Sequence, residues 1–200
     1  MVGTWQRLGS TTLASAADTI TVDSLTAKKN LMIQAKVITT GGAVSQRLTF
    51  NNDTGSNYAQ RRSGDGASDS PGTSKSSIDG LNDDLVTDSV GFTTYFIINE
   101  AAKEKLVIAE AVSGEAAGAG TAPTRDECVF KWANTSNAIT RVDINNNKAG
   151  SYAAGSEVTV FGASDGVAND TTPNATIFEE TDTGKHYIWN ATSDSWTEIS

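Results

Sequence analysis

His186 is the only histidine and Cys128 the only cysteine in the chain. Nucleophilic catalysis of the Ser-His-Asp or Cys-His kind therefore has one candidate base and one candidate thiol. His186 lies in Lys185-His-Tyr-Ile-Trp189, a pattern that predicts a strand residue facing solvent or packed beside a tryptophan. Cys128, within Glu127-Cys-Val-Phe-Lys-Trp132, reads as a buried core thiol. A single chain can make neither an internal disulfide nor a Cys/His zinc cluster. The sequence names no catalytic residue.

Glycoside cleavage needs two carboxyl groups held about 5 to 10 Å apart in a cleft. The adjacent pairs Asp83-Asp84, Asp126-Glu127 and Glu179-Glu180 would point to opposite faces of a strand, so a solvated surface is expected of them. Asp143, Asn145 and Asn147 have the alternate spacing of oxygen ligands for a hard cation. However, Lys148 stands where an EF-hand loop needs glycine, and Ala154 where it needs a bidentate glutamate. Asn51, Asn52 and Asp53 precede Gly55 and read first as a turn. The glycines of Gly114 to Gly120 lack a following Gly-Lys-Ser/Thr, so no phosphate loop is present. Neither a metal nor a cofactor is expected. Asn-x-Ser/Thr occurs at Asn52, Asn134, Asn169, Asn174 and Asn190, as Asn/Thr-rich loops produce on their own. Tyr187, Trp189 and Trp196 are the candidate contacts for a partner or a glycan, through ring stacking. A miniature aromatic core is the competing reading.

These residues need a scaffold, and the chain has the means to build one. Of its 200 residues 38% are hydrophobic and 18 are glycine, within the globular range. A net charge of −9 disfavours nucleic acid as a partner. No stretch approaches the 18 or so apolar residues of a membrane span, so no membrane insertion is expected. The opening MVGTWQRLGS has no basic region followed by an apolar core, and no signal peptide is expected.

Runs of β-branched and aromatic residues separated by Gly, Asn, Asp and Ser predict a series of eleven strand segments. These are Trp5 to Leu8, Thr19 to Val22, Leu31 to Ile38, Arg47 to Asn51, Tyr58 to Arg61, Ser76 to Ile78, Phe92 to Ile98, Lys105 to Val112, Glu127 to Ala133, Ile139 to Ile144 and Glu157 to Phe161. Alternation is clearest in Leu31, Ile33, Ala35 and Val37. Asn99 to Lys103 reads as a turn, and Ser63 to Ser77 and Gly114 to Thr124 as long surface loops. The fold class is all-β, an antiparallel β-sandwich of jelly-roll-like type over residues 1–162. A linker over 163–175 leads to a small meander over 176–200, whose Asp-Thr-Gly-Lys is hairpin chemistry. Residues 1–62 carry seven basic and three acidic groups, whereas 163–200 carry seven acidic groups and Lys185 alone. The basic first third could meet the acidic end of a neighbouring copy.

The string from Leu48 to Arg62, LTFNNDTGSNYAQRR, resembles the "RFNxDxGxNYAxR" signature of a group of β-sandwich proteins in tailed-phage virions. Its signature positions here are Phe50, Asn51, Asp53, Gly55, Asn57, Tyr58 and Arg61. Trp5 to Leu13, Gly118 to Glu127 with Lys131-Trp132-Ala-Asn-Thr-Ser136, and Gly150 to Gly162 are similar to further blocks of the group, in the same order. Residues 176–189 with Trp196 resemble a short β module at the ends of phage structural proteins, with Asn190-Ala191 where that module has Asp-Gly. The resemblance implies a virion component, most simply a capsid decoration, cement or head-fibre protein assembled as a homotrimer on other capsid or tail proteins, and for lack of a catalytic constellation no enzymatic activity is expected. A tail-associated receptor-binding protein that recognises a host-surface glycan is the alternative it allows.

Overall fold

The computed structural model describes residues 5–114, 118–163, 176–190 and 195–199. The chain divides into two compact units, one spanning Trp5–Ala163 and the other holding the C-terminal strands. Among the described residues all regular structure is β. The strands of the first unit are β1 (Gln6–Thr12), β2 (Thr19–Val22), β3 (Asn30–Thr40), β4 (Val44–Phe50), β5 (Tyr58–Gly64), β6 (Ser70–Lys75), β7 (Ile78–Leu85), β8 (Val90–Ile98), β9 (Lys105–Gly114), β10 (Thr124–Trp132), β11 (Val142–Asn145), β12 (Ser151–Tyr152) and β13 (Glu157–Ala163). Those of the second are β14 (Ile177–Glu180), β15 (Lys185–Asn190) and β16 (Ser195–Ile199).

The first unit is an antiparallel β-sandwich. Its large sheet runs β1-β13-β3-β8-β9-β10-β5-β6, with the short β12 added on β3, and its small sheet runs β2-β11-β4-β7. Side chains on one face of each sheet interdigitate as the core, as strand alternation requires. Leu31, Ile33, Ala35 and Val37 of β3 are fully buried there, as their alternation predicts, opposite Ile20, Leu48, Val142 and Ile144 of the small sheet. A polar cluster lies inside this core. Gln46 donates to the Tyr95 hydroxyl at 2.7 Å, and Asn82 donates to Thr93 Oγ1 at 2.8 Å and to Gln46 Oε1 at 3.3 Å. Bonded to one another, these groups avoid most of the cost of burying polar atoms, and they tie β4 and β7 of the small sheet to β8 of the large one.

Three expectations need correction. The segment Ser63 to Ser77 is not one long loop: β5 continues to Gly64, a turn follows, and β6 forms the sheet edge. The strand expected at Ser76 to Ile78 instead starts at Ile78 and runs to Leu85, with irregular pairing to β4. The strand expected from Ile139 begins only at Val142, because the backbone N–H groups of Ile139, Thr140 and Arg141 donate to the side chains of Asn99 and Asn51 rather than to a neighbouring strand. Lys105 to Val112 is a strand, as expected, and Asn99 to Lys103 a turn.

In the second unit, β14, β15 and β16 form a three-stranded antiparallel sheet. Residues 164–175 of the expected linker lie outside the described residues, as does Ala191 of the turn after Trp189.

Candidate functional site

Asn51 and Asn52 end β4 with φ of 51° and 58°, a left-handed conformation that asparagine tolerates better than most residues. The Asn51 side chain accepts from the backbone N–H groups of Thr140 and Arg141 and donates to the Ala138 carbonyl, so one side chain ties the segment 138–141 to the end of β4. Asp53 then accepts from the Gly55 N–H at 2.9 Å, from Asn57 Nδ2 at 2.9 Å and from the indole N–H of the buried Trp132 at 2.7 Å. A Cβ on Gly55 would stand 2.9 Å from the Asn57 amide, which is why glycine sits there. Burial pushes the Asp53 carboxyl upward, but the bonds from Trp132, Asn57 and Gly55 outweigh it and hold the group below its ordinary value.

Tyr58 completes the arrangement. Its hydroxyl accepts from the Phe50 N–H and donates to the Asp53 carbonyl, both at 3.0 Å, and burial drives its pKa well above the ordinary value. Its ring stacks at 15° on Trp132, and Phe50 packs on the same indole with centroids 5.6 Å apart. The Lys105 ammonium also stands over this indole, 5.4 Å from its ring centroid, and donates to the carbonyls of Ala101, Lys103 and Asn134. Most of the signature residues thus form a structural lock joining β4, β5 and β10. Arg61 and Lys131 do not. They stand on the outer face of the large sheet, where Arg61 lies 3.4 Å from Asp69 and Lys131 3.1 Å from Glu104.

That outer face is the most unusual surface of the unit. Phe161, Met32, Phe96, Ile108, Val129 and Arg61 form one row across β13, β3, β8, β9, β10 and β5. Ile98 and Leu106 lie in the next row, and Phe92 and Val112 two rows the other way. Leu106 is 55% exposed and Ile108 61%. A depression of about 660 Å³ opens here, with Trp5 at its margin. Exposed apolar areas of this extent mark interaction surfaces. Sequence reasoning missed the face, although a signal was present. Phe92 to Ile98 and Lys105 to Val112 carry apolar residues in both phases of the alternation, the mark of a strand covered on both sides.

A second, polar depression of about 330 Å³ lies on the outer face of the small sheet. Several of its groups are already bonded to one another, although the Nε of Arg47, which also lines it, is buried without a hydrogen-bond partner among the described residues. Arg141 holds Asp143 through two bonds of 2.8 and 2.9 Å, Thr21 donates to Asp143 at 2.6 Å, and Asn145 donates to Thr49 at 3.1 Å. Asn147 accepts from the Ser45 hydroxyl at 2.7 Å. The oxygens spaced like cation ligands are therefore directed to separate partners. Among the described residues no three His, Cys, Asp or Glu side chains come together.

Cys128 is buried, and its thiol is pushed up to about 12, chiefly by burial. His186 lies on the C-terminal sheet with Nε2 3.8 Å from Glu179. In that sheet Phe178, Tyr187, Trp189 and Trp196 share one face. Trp189 and Trp196 are 5.2 Å apart between centroids, and Phe178 and Trp196 6.0 Å. The rings form a cluster without being closed off, for Phe178 is 53% exposed and Trp196 43%. No family model, no curated protein and no solved structure matches this chain.

Proposed function

We propose that the chain is a structural component of a tailed-phage particle, a capsid decoration, cement or head-fibre protein that works by self-assembly and attachment rather than by turnover. The observation that carries this reading is the apolar outer face of the large sheet, a surface suited to permanent contact with protein. An inert buried thiol and a signature whose residues serve mainly to lock strands agree with it. The partners are further copies of the chain and the capsid or tail proteins beneath them, and the location is the virion.

A second reading, a tail-associated protein that binds a host-surface glycan, draws on the partly exposed ring cluster of Phe178, Tyr187, Trp189 and Trp196. Sugar faces stack on such rings. A cryo-EM reconstruction of the particle that carries the protein separates the two readings. Density at regular lattice positions over the capsid is the expected result. Density confined to the tail tip would replace it with the receptor-binding reading, and absence from the particle would refute both.

A further inference from the structure

We propose that the outer face of the large sheet is covered by the same face of a second copy of this chain, the two related by a two-fold axis lying along the row Phe96, Ile108, Val129. This deepens the assembly reading and rests on it for its biological setting.

Area is the first ground. Phe92, Phe96, Ile98, Leu106, Ile108, Val112 and Val129 are each between 41% and 61% exposed. Together they present on the order of 600 Å² of apolar surface, at the upper end of the roughly 300–600 Å² of a monomer's largest patch and below the roughly 800 Å² per partner in a standard interface. With the polar residues at its margin, the face reaches the size a stable dimer needs.

The layout of charge selects the partner and its orientation. Along β10 the outward residues run Glu127, Val129, Lys131, and along β9 they run Glu110, Ile108, Leu106. Register places Glu110 beside Glu127 in one row and Leu106 beside Lys131 in another, with the Ile108–Val129 row between them. A two-fold axis along that middle row exchanges its two neighbours. Lys131 of one copy then faces Glu127 of the other, with Glu110 beside it, twice by symmetry as an isologous contact requires, while Leu106 comes opposite Glu110 and Ile98 opposite Thr94. An axis along the strands, whether two-fold or three-fold, keeps each row at its own height and sets acidic row against acidic row. The charges therefore favour an antiparallel pair over the trimer that the family resemblance implies.

Both charged groups can turn to a new partner. Lys131 and Glu104 are 46% and 42% exposed in their side chains, Arg125 and Glu127 57% and 52%, and an ammonium has three donors to share. Sheets packed face to face cross at about −30°, which still leaves residues two places from the axis within reach of each other.

The test is the mass of the full chain in solution by analytical ultracentrifugation, with circular dichroism and thermal melting to show that each variant is folded. The wild type is expected at twice 20.9 kDa, and Ile108→Glu, altering a side chain outside the core, is expected to be a folded monomer. Lys131→Glu and Glu127→Lys singly are expected to weaken the dimer by about tenfold or more. The exchanged pair Lys131→Glu with Glu127→Lys is expected to recover most of that loss. A monomeric or trimeric wild type, a dimer indifferent to Ile108→Glu, or an exchanged pair no tighter than the single variants would overturn the proposal. A dimer of a protein absent from the particle would refute the virion role alone, and a capsid-bound monomer the pairing alone.

Discussion

Asp53 offers the most direct check on what the signature residues do. Replacing it with alanine removes three hydrogen bonds, but not at equal cost. The Gly55 and Asn57 donors are exposed, so water takes the place of the carboxylate there, whereas the indole N–H of Trp132 lies on a side chain with no exposed surface and loses its only acceptor at 2.7 Å. A bond to a charged acceptor is worth about 1.5–3 kcal/mol, and a buried donor left unpaired carries its full desolvation penalty. Asp53→Ala should therefore destabilise the sandwich by about 2–3 kcal/mol, lowering the melting temperature by about 5–10 °C for a domain of this size. Asp53→Asn keeps a neutral acceptor and should lose about half as much. The sign of the pH dependence follows from the direction of the shift. The folded carboxyl titrates below its ordinary value of 3.8, so its ionic contribution is complete above that pH and disappears as pH falls through the folded value. Urea titrations from pH 7 to pH 2.5 should show the gap between wild type and Asp53→Asn narrowing below about pH 3.8. A loss under about 0.5 kcal/mol for Asp53→Ala, or a gap to Asp53→Asn as wide at pH 2.5 as at pH 7, would refute the lock.

Two further outcomes are expected. Gly150→Ala should cost about 1–3 kcal/mol in thermal or urea unfolding, since its Cβ would stand 2.3 Å from the Gly42 carbonyl oxygen, a backbone atom with no room to retreat. Cys128 should stay unreactive toward a disulfide reagent at pH 8 until denaturant is added, because a thiol pushed up to about 12 is ionised there only on the order of one part in 10⁴.

The fold was legible wherever burial imposed a period of two. In β3 every second residue is buried, and the sequence shows it without ambiguity. The edge strand β6, Ser70–Lys75, has no apolar residue to bury and is invisible to any reading of hydrophobic pattern. β7 hides for a different reason. Its anchors Ile78, Leu81 and Leu85 pair with Leu48, Gln46 and Val44 through register shifts, with Asn82 and Asp84 in left-handed conformations, so the spacing follows neither template. The signature residues stood out as types, but their role depends on contacts far apart in sequence, such as Asp53 with Trp132, 79 positions on. The apolar outer face was written in β8 and β9 as strands apolar on both sides. Looking only for the alternation that defines one inner face passes over that second set.

The pairing of β1 and β3 with β13, and of β2 with β11, has a consequence for how the protein is made. The first three strands of the sandwich in chain order each have a partner encoded more than a hundred residues later, although β3 also meets β8 sooner. Until Glu157–Ala163 emerges, β1 has no neighbour and β3 presents an open edge beside its apolar residues. Closure of the sandwich must wait for nearly the whole domain to be synthesised, which places this chain among the slow-folding β topologies. In the interval its exposed strand edges are open to nascent chains on the same message and need protection during translation.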